Sequence, residues 1–143
     1  MRKFEKVSYR EDAIIPVRST ANSAGYDLIS PDDFEIPAGE KQLIWIGIKA
    51  KMEKDEVLML FPRSSMGRLG VRFGNTVGIV DSDYYTNPGN EGEIALDFVN
   101  DGNLPWKVSR GDKIGQGIFT KYLVTDDDNV TAERTGGFGS TGK

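Results

Sequence analysis

Glu93-Ile94-Ala95-Leu96-Asp97-Phe98 sets Ile94, Leu96 and Phe98 in alternation with Glu93, Ala95 and Asp97. A period of two is that of a half-buried β-strand, whose successive side chains point to opposite faces. Asn100-Asp101-Gly102-Asn103 follows as a turn signal. The same pattern of short apolar runs closed by turn residues repeats outward in both directions. Val57-Leu58-Met59-Leu60-Phe61 is stopped by Pro62, and Leu43-Ile44-Trp45-Ile46-Gly47-Ile48 reads as one buried strand. Ile114 to Tyr122 is a strand after Arg110-Gly111-Asp112, and Val77-Gly78-Ile79-Val80 is short and β-branched. No helical period is sustained; the one candidate is a turn or two around Ser64 to Leu69. Turn signals at this spacing predict an all-β chain, an antiparallel sandwich or jelly roll. The 143 residues carry no internal repeat, so a single core is expected.

Composition excludes several chemistries. With no Cys and no His, disulfides, thiol nucleophiles, Ser-His-Asp triads and Cys/His zinc sites are all removed. Acid–base work must then fall to carboxylate, Lys or Tyr, and a metal should be hard and oxygen-bound, which favours Mg²⁺. A net charge of −4 argues against a general nucleic-acid surface. No apolar run is long enough to span a membrane, and Met1-Arg2-Lys3-Phe4-Glu5 leads into no secretory core, so a cytoplasmic location is expected.

Polar clusters stand at the strand edges. Ser23-Ala24-Gly25-Tyr26-Asp27-Leu28 suggests a tight turn presenting Asp27, or an ordinary Asx turn. In Pro62-Arg63-Ser64-Ser65-Met66-Gly67-Arg68, hydroxyls and N–H groups at a helix start form a natural anion site flanked by Arg63 and Arg68; a capped one-turn helix with solvated arginines fits equally. Asn75 to Tyr85 runs an apolar strand into Asp81, Asp83, Tyr84 and Tyr85. A carboxylate at such an edge can orient a water as general base, or simply be solvated. Gln116 lies on the strand after Ser109-Arg110-Gly111-Asp112-Lys113. Thr125-Asp126-Asp127-Asp128-Asn129 lacks the spacing and glycine of a calcium loop and reads as solvated.

The end of the chain, Arg134-Thr135-Gly136-Gly137-Phe138-Gly139-Ser140-Thr141-Gly142-Lys143, has four glycines and no core-forming run. It still carries a ring able to stack on a base and polar groups able to hold phosphate. Gly137 to Lys143 spells the start of a P-loop, but no strand precedes it and no Ser/Thr or helix follows Lys143, so that match fails. Phosphate donors, an edge carboxylate, a stacking ring and only oxygen ligands together point to a nucleotide with Mg²⁺.

Five of these stretches, in order, resemble the motifs of the trimeric dUTPases: Ala24-Gly25-Tyr26-Asp27-Leu28, Pro62-Arg63-Ser64-Ser65-Met66-Gly67, Gly78-Ile79-Val80-Asp81-Ser82-Asp83-Tyr84, Arg110-Gly111-Asp112-Lys113-Ile114 with Gln116, and Gly136 to Gly142. The resemblance implies a jelly-roll homotrimer with active sites shared between subunits, hydrolysing dUTP to dUMP and pyrophosphate. It implies a β domain over residues 1–130 and a flexible arm over 131–143 that closes on the nucleotide. Asp81 would be the general base, and Asp27 would hold the waters of a Mg²⁺ on the triphosphate. Arg63, Ser64 and Gln116 would bind the α- and β-phosphates, with Ser65 a further substrate-binding residue, and Arg134, Ser140 and Thr141 the γ-phosphate. Phe138 would stack on uracil, Asn75 and the backbone at Gly78 would read its edge, and Tyr84 would leave no room for a 2′-hydroxyl. One departure stands out: Tyr85-Thr86-Asn87-Pro88-Gly89-Asn90-Glu91 lengthens the loop before Gly92. A zinc-free dCTP deaminase of the same fold is the alternative, although it places a Glu where Asp97 stands; a nucleotide-sensing module is a further one.

Overall fold

A computed structural model describes residues 1–139 and residue 142. Its strands are β1 (Lys3–Lys6), β2 (Tyr26–Ile29), β3 (Phe34–Ile36), β4 (Lys41–Trp45), β5 (Ile48–Lys51), β6 (Glu56–Phe61), β7 (Val71–Phe73), β8 (Gly78–Asp81), β9 (Ala95–Asn100), β10 (Trp106–Val108) and β11 (Lys113–Lys121). One short helix, α1, covers Ser64–Leu69, and a 3₁₀ turn covers Ser82–Thr86. Every pairing is antiparallel: a four-stranded sheet in the order β2-β11-β6-β8, a three-stranded sheet β4-β9-β7, and the pairs β1-β5 and β3-β10.

The inward residues of both sheets meet in one core. Leu28, Ile36, Ile46, Ile48, Leu58, Phe73, Ile94, Leu96, Phe98 and Ile114 are each 2% exposed or less. Removing each such side chain from water is worth about 1.5–3 kcal/mol. Phe98 stands at the centre, edge-on to Phe73 and to Trp106 with ring centroids 5.5 and 4.9 Å away. Strand β6 lies between β11 and β8 and so is buried along most of its length, while Pro62, which cannot donate to a ladder, ends it as the sequence indicates.

Two local readings change. The run from Leu43 to Ile48 is not one buried strand, because Gly47 takes φ +72° and divides it into β4 and β5. Within β4 the period is two: Ile44 is buried, but Leu43 and Trp45 face outward, 42% and 37% exposed. Asp27 is not presented by a turn either. It sits inside β2, opposite Gln116, and its N–H donates to the Val17 carbonyl at 2.7 Å. Gly25 lets Gln116 pack close: a Cβ there would lie 2.6 Å from the Gln116 Oε1 and push that amide aside. Among the described residues no helix is long and apolar enough to cross a membrane.

Candidate active site

Two cavities hold the polar clusters. The first, about 630 Å³, opens between β8, the 3₁₀ turn after it, the Asn75–Gly78 loop and the end of the chain. Strand β8 is an edge strand, and the chain leaves it at Asp81 in an extended conformation that starts the 3₁₀ turn. Asp81 is thereby delivered at the cavity rim with its side chain 54% exposed, while Tyr84, one turn on, is folded inward and only 7% exposed. The loop feeding β8 is tight. The Val77 N–H donates to the Asn75 carbonyl at 2.7 Å, and Thr76 is held at φ +69°, a left-handed conformation costly for a β-branched residue. It leaves Asn75 on the cavity wall beside the backbone of Gly78. Gly78 packs tightly on β6, where a Cβ would meet the Leu60 side chain at 3.0 Å.

The end of the chain forms the remaining wall. Arg134 is largely buried and forked across two carboxylates, Nη2 to Asp81 Oδ2 at 2.6 Å and Nε to Asp83 Oδ1 at 2.7 Å. Its Nη1 donates to the Gly136 carbonyl at 2.8 Å. The hydrogen bond to Asp83, with both negative charges, raises the guanidinium pKa further against the opposing effect of burial. Gly137 then passes so close to Tyr84 that a Cβ would lie 2.6 Å from its ring. Phe138 projects beside it, edge-on to Trp45 and to Tyr84 with centroids 5.2 and 6.1 Å away. Burial pushes the Tyr84 phenol above its ordinary pKa, so the group is a neutral hydrogen-bonding ring at working pH.

The second cavity, about 580 Å³, gathers Asp27, Arg63, Ser64, Ser65, Arg68 and Gln116. Helix α1 starts where Pro62 breaks β6. Arg63 takes the N-cap position with no side-chain cap, leaving the Ser64 and Ser65 hydroxyls exposed. Gln116 Nε2 donates to the Pro62 carbonyl at 3.2 Å, tying β11 to the start of the helix. Asp27 receives the Ser19 hydroxyl at 2.6 Å and faces Lys113 Nζ at 3.1 Å and Arg63 Nε at 3.5 Å. Burial alone would raise its pKa, but the Ser19 hydrogen bond and the Lys113 and Arg63 charges outweigh it, and the carboxyl lies below its usual range. It is an anion held among cations.

These groups divide into two sets. Asp81, Asn75, Gly78, Tyr84, Arg134 and Phe138 share the first cavity; Asp27, Arg63, Ser64, Ser65 and Gln116 share the second. Ser140 and Thr141 lie outside the described residues. The sheet register measures the gap. Asp81 pairs with Val57 of β6, whereas Gln116 pairs with Phe61 of β6 and with Asp27 of β2. Four residues along the strand at about 3.3 Å each, and three strand spacings of about 4.8 Å, put Asp81 roughly 19 Å from Asp27.

One participant was given no site role by the sequence, and two stood in the quoted clusters without their partners. Trp45 is hidden by a run that looks continuously apolar; its alternation with Ile44 and Ile46 was the available signal. Asp83 shares Arg134 with Asp81, and Lys113 pairs with Asp27 across strands, contacts that only the tertiary structure creates.

A family model described as dUTPase matches residues 11–142. The deoxyuridine 5'-triphosphate nucleotidohydrolase of Lactococcus lactis is 43% identical over 99% of this chain and 98% of its own length. That of Wolinella succinogenes is 33% identical over 99% and 95%. Among solved structures, the dUTPase from Streptococcus mutans superimposes with a TM-score of 0.80 at 39% identity, covering 87% of this chain and 98% of that one.

Proposed function

The chain belongs to the dUTPase family and hydrolyses dUTP to dUMP and pyrophosphate, and from that premise we propose how its residues share the work. The deaminase alternative is set aside by that membership. Asp81 holds a water and accepts its proton as the oxygen attacks the α-phosphorus; the bond to the bridging oxygen breaks and pyrophosphate leaves. An ordinary carboxylate is a weak base, so most of the rate comes from alignment and from neutralising phosphate charge.

Asn75 and the Gly78 backbone read the uracil edge, Phe138 covers the base, and the Tyr84 ring closes the space beside the deoxyribose. Arg63, Ser64, Ser65 and Gln116 grip the α- and β-phosphates. Arg134, with Ser140 and Thr141, takes the γ-phosphate, leaving Asp81 and Asp83 when the stronger anion arrives.

Among the described residues no group of three or more potential metal-ligating side chains is assembled. A metal serving this reaction would be held chiefly by the triphosphate, which suits Mg²⁺, a cation that keeps waters and prefers phosphate oxygen. Asp27, charged and oxygen-bearing, fits as the residue that holds those waters. When bound, the ion supplies charge neutralisation on the phosphates.

The observation that carries the assembly is the division between cavities. Asp81 lies roughly 19 Å from Asp27 and, by the same count over two strand spacings, roughly 16 Å from Gln116, so a water on Asp81 and the phosphate donors of the second cavity cannot meet on one α-phosphate within one chain. Bringing the second cavity of one copy against the first cavity of another joins the two sets, which supports sites between subunits; that the assembly is a homotrimer is what the resemblance to the trimeric dUTPases implies. Residues 125–133, which link the β domain to the end of the chain, are all exposed and belong to no strand or helix. The arm proposed over 131–143 can therefore serve its own first cavity, as Arg134 and Phe138 do here, or a neighbour's by the same contacts.

Sugar choice tests the assignment of Tyr84. Tyr84→Ala opens the wall beside the ribose position, so kcat/KM for UTP should rise toward that for dUTP, narrowing the ratio by about 10- to 100-fold. An unchanged ratio would move the discrimination elsewhere.

A further inference from the structure

The loop that departs from the family pattern, Tyr85 to Glu91, folds back on Tyr84, and none of its residues lines the first cavity. The Tyr84 hydroxyl donates to the Glu93 carbonyl at 2.6 Å and accepts from Asn90 Nδ2 at 3.0 Å. The orientation of the Asn90 amide is determined, because its Oδ1 accepts the Gly92 backbone N–H at 3.0 Å, a group that can only donate. Asn87 Nδ2 adds a second bond to that Oδ1 at 2.9 Å. Gly92 completes the turn at φ +84°, where a Cβ would lie 2.2 Å from the Tyr84 carbonyl oxygen.

The loop is itself anchored. The buried Glu93 carboxylate accepts the Gly47 N–H at 2.8 Å and the Tyr9 hydroxyl at 2.7 Å. Tyr9 also reaches the Asn90 carbonyl at 3.1 Å, and Glu91 pairs with Lys49 at 3.2 Å. The phenol oxygen is thus fixed by one donor and one acceptor standing on a tied loop, while Gly137 crosses the ring edge.

We infer that Asn90 is a positioning residue for substrate choice: by pinning the Tyr84 hydroxyl it stiffens the ring as a wall, and so sets how firmly a ribonucleotide is refused. This rests on the reading of Tyr84 as the wall beside the sugar. Steric exclusion is only as strong as the stiffness of the excluding group; a ring free to tilt by a few tenths of an ångström admits a hydroxyl that a fixed ring rejects.

Asn90→Asp isolates the effect. It keeps Oδ1 for Gly92 and Asn87 but replaces the donor facing Tyr84 by an acceptor. The steady-state kcat/KM for dUTP and for UTP is measured in wild type, N90D, Tyr84→Phe, the N90D/Y84F double variant and Tyr84→Ala, with thermal unfolding to confirm that each is folded. The expected result is a dUTP-to-UTP ratio about 3- to 10-fold lower in N90D, the worth of one buried hydrogen bond, with kcat for dUTP within about twofold of wild type. Y84F should lower the ratio similarly, and adding N90D to it should lower it no further, because the bond is already gone. Should N90D be too unstable to assay, Y84F carries the test alone: a ratio equal to wild type overturns the proposal. An N90D ratio equal to wild type, or a further fall when N90D is added to Y84F, overturns it as well. If Tyr84→Ala also leaves the ratio unchanged, the reading of Tyr84 has failed; if Tyr84→Ala narrows it while N90D and Y84F do not, only the pinning has failed.

Discussion

Asp81→Asn should leave dUTP binding near normal and lower turnover by about two to four orders of magnitude. The change keeps shape and size and removes the proton acceptor. With no His and no Cys in the chain, the usual substitutes for that base are missing. Asp83 shares Arg134 with Asp81 but lies within the 3₁₀ turn and does not line the first cavity, so it does not duplicate the position. The measurement is single-turnover hydrolysis with the affinity for a non-hydrolysable dUTP analogue measured in parallel. Near-normal turnover would remove Asp81 from the chemistry. A loss of affinity as large as the loss of rate would make it a binding group instead.

Removing the chain from Arg134 onward should cut kcat/KM for dUTP by at least about a hundredfold while leaving the fold intact. The last strand, β11, ends at Lys121, so no ladder is broken. What is lost is one wall of the first cavity: the Arg134 guanidinium over Asp81 and Asp83, the backbone at Gly137 against Tyr84, and the Phe138 ring between Trp45 and Tyr84. On the proposed assignment, a cation on the transferring phosphoryl group and the ring that covers the base leave together. Unchanged far-ultraviolet circular dichroism with activity within a few-fold of wild type would make the end of the chain dispensable.

Much of this architecture can be read from the residues because the strands that build the core obey the two-residue period or are bounded by Pro and Gly. Glu56–Phe61, Gly78–Asp81, Lys113–Lys121 and the helix at Ser64–Leu69 lie within a residue or two of where the pattern puts them. The strands that do not announce themselves are short: Lys3–Lys6 is mostly charged, while Phe34–Ile36 and Trp106–Val108 span three residues each and form only on pairing with each other. Asp27 shows the same limit. Gly25 beside a carboxylate suggests a turn, but pairing with Val17 and Gln116 holds the segment extended, and the glycine answers to Gln116 instead. The polar clusters are visible as clusters, yet their division into two cavities follows from the order β2-β11-β6-β8, which no local pattern encodes.

The central claim is that an active site is completed only where the first cavity of one subunit meets the second cavity of another. Complementation measures this directly. One chain carries Asp81→Asn; the other keeps Asp81 but carries Arg63→Ala with Ser64→Ala in the second cavity. Each alone should be nearly inactive. After co-refolding, with mixing verified by differential tags, about a quarter of the interfaces in randomly mixed trimers pair an intact Asp81 with an intact phosphate grip, and dUTP hydrolysis should return to about that share of wild type. Verified mixed assemblies that stay as inactive as their parents would contradict the account, because base and phosphate grip would then have to act within one chain.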